Sequence, residues 1–70
     1  MAITIQEAKR TAASIAVGDL LGYSEPPEGV EDNYPFNAVA YRKTLPKEWQ
    51  AEVEDVIVYV YHHEQWPEGI

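Results

Sequence analysis

Leu45, Trp49, Val53, Val56 and Val60 recur at intervals of four, four, three and four residues. At about 100° per residue these side chains fall within a narrow arc of an α-helix. Lys47, Glu54, Asp55 and His62 lie on the far side, Ile57 and Tyr59 flank the stripe, and Val58 is the one large apolar residue squarely outside it. Thr44 is a candidate N-cap, and Pro46 fits a first helical turn, where its missing N–H has no intrahelical partner. The pattern predicts a helix over about 45–64. Residues 56–61 are β-branched or aromatic, a composition that suits a pleated sheet, so a short strand at 55–61 is the alternative. Helix is preferred because the stripe continues through this run in register and no turn residue interrupts it.

An earlier segment has a sharper start. Thr4 and Glu7 have the spacing of a capping box, in which each side chain satisfies a backbone donor at the other's position. Ile5, Ala8, Ala12 and Ile15 follow at helical spacing, and Gly22 offers a C-terminal stop because glycine accepts the left-handed conformation. A helix over about 4–21 is expected, with an apolar stripe of small residues that lets another helix approach closely. Lys9 and Arg10 lie off the stripe and Asp19 falls near it. Val17, Leu20 and Leu21 point elsewhere, so the next loop is expected to fold over the two leucines, or they form a contact surface.

Residues 23–34 read as a linker, with paired prolines, one glycine and the carboxylates Glu25, Glu28, Glu31 and Asp32. The Pro26-Pro27 pair favours a stiff, extended backbone. Asn33 is a candidate cap and Pro35 a first-turn residue for a short helix over about 34–43, with Phe36, Val39, Ala40 and Lys43 on one side. A strand at 36–42 is the alternative, because Val39 and Tyr41 favour β structure. After residue 64, Pro67 forbids helix and Trp66 either folds back or awaits a partner. The expected fold is therefore all-α, one small three-helix bundle with an acidic, proline-rich loop; the alternative is α+β with the two short strands.

Composition changes the picture through charge. Twelve Asp and Glu against five Lys and Arg give a net charge of −7 on 70 residues. Such a surface repels phosphate backbones and anionic lipid and attracts basic protein surfaces, including those that hold nucleic acid. Cysteine is absent, which removes disulfides, thiolate nucleophiles and thiolate metal sites and suits a reducing cytoplasm. The first residues lack the basic and apolar regions of a secretory signal, and the longest apolar run, 56–61, is far short of the roughly 20 residues of a membrane span. A soluble, cytoplasmic chain is expected.

Candidate chemistry is sparse. His62, His63 and Glu64 are adjacent, and neighbours on a helix point about 100° apart, so they do not converge on one metal ion. The pairs Glu31-Asp32 and Glu54-Asp55 lack an expected cleft in which to separate two pKa values for acid–base work. No phosphate-binding glycine loop or nucleophile–base pair occurs at recognisable spacing. No catalytic, metal or cofactor residue is therefore assigned. Arg42, Lys43 and Lys47 form at most one small positive spot, too small to hold nucleic acid against the remaining charge.

Aromatic residues are the better clue, because Tyr and Trp supply large contact area at low entropic cost. Trp49 is expected in the core, whereas Tyr61 and Trp66 are left for a surface. The reading is a non-enzymatic protein-binding module, an acidic inhibitor or regulator of a larger, basic-surfaced protein, with contacts at Glu25, Glu28, Glu31, Asp32, Tyr61 and Trp66. In size and charge alone it resembles the small acidic inhibitors that phages direct at host defence complexes, anti-CRISPR proteins among them. Alternatives are a nucleic-acid mimic occupying a DNA- or RNA-binding groove, and a homo-oligomeric accessory protein associating through Val17, Leu20, Leu21 and Val58.

Overall fold

A computed structural model of the chain describes residues 3–22, 25, 28–29 and 35–70. Three helices, α1 (Ile5–Leu20), α2 (Phe36–Arg42) and α3 (Lys47–His63), and no strand occur among them. The all-α expectation holds, and the strands at 36–42 and 55–61 are set aside. Of the linker, Glu31, Asp32 and Asn33 lie outside the described residues.

The start of α1 keeps the Thr4 half of the expected capping box. Thr4 is the N-cap in extended conformation, and its Oγ1 accepts the Glu7 N–H at 3.1 Å. At the other end Gly22, with φ of +81°, donates its N–H to the Asp19 carbonyl at 3.2 Å. The buried face of α1 is nearly all alanine: Ala8, Ala12, Ala13 and Ala16 are inaccessible, while Ile5 and Ile15 of the expected stripe sit half-buried at its edges. The arc is wider than one stripe because α1 packs against both other helices; α2 and α3 touch each other least. Small side chains let neighbouring helices approach the α1 backbone, and Val53, Val56, Ile57 and Val60 of α3 with Ala38 of α2 complete the core. Trp49 and Leu45 pack half-buried against that core, so Trp49 marks its edge and not its centre.

Two expected caps are corrected. Thr44 does not cap α3: its hydroxyl donates to the Tyr41 carbonyl at 2.7 Å at the end of α2, and Pro46 occupies the α3 N-cap position. The reason is local, because a residue before proline disfavours helical backbone and Leu45 is such a residue. The N-cap of α2 is Pro35, which has no side-chain acceptor and makes no cap bond, so the cap position predicted for Asn33 is filled by another residue. Helix α3 ends at Glu64, in the left-handed region at φ 53°, ψ 36°, with its N–H on the Val60 carbonyl at 2.8 Å. From there the tail returns over the bundle: Pro67 is buried, Ile70 packs on the core and Gln6 Nε2 donates to the Gly69 carbonyl at 3.3 Å.

Leu20 is half-buried against the core, whereas Leu21 is 62% exposed. Val17 also packs against the core. The Cα radius of gyration, 11.5 Å, matches the roughly 11 Å of a packed domain this size. No helix among the described residues is long and apolar enough to cross a membrane.

Candidate functional site

The one buried charged side chain among the described residues is Asp19, 1% exposed at the end of α1. Its Oδ2 accepts the backbone N–H groups of Asn37 at 2.9 Å and Ala38 at 3.2 Å, and its Oδ1 accepts Asn37 Nδ2 at 2.9 Å. These backbone donors belong to the first turn of α2, whose initial N–H groups have no intrahelical acceptor. The carboxylate of α1 thus does for α2 what an N-cap side chain does locally, and Pro35 leaves that task open. The partial positive end of the helix favours the negative charge there. Asp19 is consequently a structural lock, and no buried side-chain polar atom among the described residues lacks a partner.

Every other described carboxylate is exposed. Glu48, Glu52 and Asp55 follow one another along one flank of α3, by four and three residues. Glu52 and Asp55 border a shallow hollow of about 290 Å³ with Lys9, Tyr59, Pro67 and Glu68. Lys9 is drawn in from the position expected for it: its side chain is mostly covered and its Nζ lies 4.0 Å from Glu52 Oε1.

On the opposite flank, between α2 and α3, is a cleft of about 250 Å³. Its apolar lining is Pro35, Val39, Ile57 and Val58, and Arg42, Glu54, Tyr61 and His62 border it. The sequence offered no expectation of a cleft in so small a bundle; it exists because α2 is only seven residues long and is tied to α1. Val58, 45% exposed, is the stripe outlier that signals it. Glu54 and His62 are both exposed, so the cleft presents them to bulk water. Arg42 Nη1 donates to Gln50 Oε1 at 3.4 Å.

The predicted contact residues are not gathered into one place. Glu25 and Glu28 are exposed, and Glu31 and Asp32 lie outside the described residues. Tyr61 is half-buried at the cleft. Trp66 is 46% exposed in the tail, with its Nε1–H on the Ile70 carbonyl at 3.1 Å. That tail runs along the Tyr59 flank, where Gln65 Nε2 donates to the Tyr59 hydroxyl at 3.2 Å, so Tyr61 and Trp66 serve different flanks of α3.

The histidines at the end of α3 also diverge. His63 stacks on Tyr59 with ring centroids 4.1 Å apart, and His62 borders the cleft beside Tyr61 at 5.5 Å. Among the described residues no three His, Asp or Glu side chains are grouped to hold a metal ion. The arrangement offers negative charge on one flank of α3 and an apolar recess on the other. No protein family, curated protein or solved structure matches this chain.

Proposed function

We propose that this chain is a protein-binding module with no catalytic activity of its own, a small inhibitor or regulator that docks on a basic surface of a larger cytoplasmic protein. One observation carries the reading: the net charge is −7, and every described carboxylate except the capping Asp19 is displayed to solvent. Charge so displayed steers diffusional encounter with a basic partner and orients the docked pair. Glu48, Glu52 and Asp55 join Glu25, Glu28, Glu31 and Asp32 as the electrostatic contacts, with Tyr61 and Trp66 supplying apolar area.

Affinity capture from host cytosol, eluted along a salt gradient, tests this. A dominant basic protein is expected on the wild-type chain, released as salt rises toward about 1 M, where screening reaches roughly 3 Å. The combined variants Glu48→Gln, Glu52→Gln and Asp55→Asn, or Glu→Gln and Asp→Asn across 25–32, should retain less of it. Equal retention by both variant sets throughout the gradient refutes an electrostatic dock.

A second reading, mimicry of nucleic acid, is favoured by the α3 flank. The steps from Glu48 to Glu52 to Asp55 correspond to about 6 and 4.5 Å of helical rise, a regular row of negative charge that is sparser than the roughly 3.4 Å axial repeat of phosphates along one strand. It predicts that the captured protein loses bound nucleic acid as this chain is added; a ternary complex excludes it.

A further inference from the structure

We infer that the cleft between α2 and α3 is an anchoring pocket for one large apolar side chain, presented by a basic segment of a partner protein. The inference rests on the protein-binding reading above and names the anchor it would use. Val58 is 45% exposed although it is apolar and β-branched, and it lines the cleft together with its buried neighbour Ile57 on α3 and with Val39 on the short helix α2. The volume, about 250 Å³, suits one aliphatic or aromatic side chain and falls below the roughly 300–1,000 Å³ of ordinary small-molecule pockets. Tyr61 and Arg42 stand beside it, two of the residue types that dominate binding hot spots.

Charge decides the class of occupant. A second copy of this chain brings another −7 to the contact and is repelled. A segment bearing Lys or Arg next to its apolar anchor gains both from the whole-molecule field and from Glu54, which stands exposed at the cleft. Arg42, on the same border, offers guanidinium donors to a backbone carbonyl of that segment.

Methyl NMR on the intact chain tests the assignment, with two peptide probes: an amphipathic helix of Leu, Lys and Ala, and its twin with every Leu replaced by Ala. The Leu peptide should bind about ten-fold more tightly than its twin and shift the methyls of Val39, Ile57 and Val58. That preference should vanish in Val58→Glu, and in Val58→Ala, which adds no charge should the first variant be destabilised. Equal binding of both peptides with those methyls unmoved overturns the pocket and leaves the electrostatic dock standing. Binding of neither peptide overturns both. Methyl shifts that follow the chain's own concentration instead assign the cleft to a second copy and overturn the inference.

Discussion

The two seams on either side of α3 are built on opposite terms. Against α1, whose buried face is built of the alanines at 8, 12, 13 and 16, Val53 and Val60 are left with no exposed surface. Against α2, a seven-residue helix covers only part of the α3 flank, and Val58 remains 45% exposed above a cleft. The reason lies in what holds α2. It is fastened to α1 through the Asp19 carboxylate on its first turn, so its position does not depend on a filled interface with α3. Close packing and directed hydrogen bonding are separable sources of order here, and the second leaves a recess available for binding.

Removing Asp19 is the most damaging way to test this. Asp19→Ala strips the acceptor from two backbone N–H groups and the Asn37 amide, and a buried donor without a partner costs about 1–3 kcal/mol. We expect a loss of about 3 kcal/mol, read from the urea midpoint, against a total stability of roughly 4–10 kcal/mol for a domain of this length. The Asn37 and Ala38 amides should exchange faster with solvent. Asp19→Asn keeps one acceptor oxygen and should fall between. A loss below about 1 kcal/mol for Asp19→Ala means that α2 is held by packing after all.

Overfilling the tight seam comes next. Ala12 is inaccessible, so Ala12→Leu must push away the helices packed on α1 and should cost about 1–3 kcal/mol. Val58→Leu, which adds volume beside the open cleft, should cost almost nothing. Equal costs in thermal melts would erase the contrast between the seams. The Lys9–Glu52 pair that bridges α1 and α3 is a smaller matter. At 4.0 Å, with Glu52 half exposed, Lys9→Met should change stability by about 0.5 kcal/mol or less, and that change should disappear in high salt.

The tight seam was largely legible in the sequence, since the Thr4 cap, the alanine spacing and the α3 stripe are local, periodic signals. The open seam was not, because its cause is a contact between residues 18 and 19 positions apart. Two signals pointed toward it. Asp19 lies on an otherwise small and apolar face, and α2 opens on a proline that cannot cap it. Together they ask where the first N–H groups of α2 find an acceptor, and a buried carboxylate answers. The lining of the cleft was less legible. Tyr61 reaches the cleft, but Val39, Arg42 and Ile57 joined it only through the tertiary placement of α2. The acidic loop stands out by charge density alone, while a second run of carboxylates, Glu48, Glu52 and Asp55, lies in regular order on α3.

Val58→Ala should also have a small effect, and for opposing reasons that separate cleanly. Truncation removes two methyl groups, worth about 0.8 kcal/mol each when fully buried and about half that at the observed exposure. Alanine recovers up to about 0.7 kcal/mol of intrinsic helix preference, because valine loses side-chain freedom against the preceding turn. The balance falls within about 0.5 kcal/mol of zero in chemical denaturation. A cost beyond about 1 kcal/mol would mean that Val58 is packed in solution and the cleft is closed, whereas an unchanged midpoint leaves an apolar side chain whose exposure folding does not require.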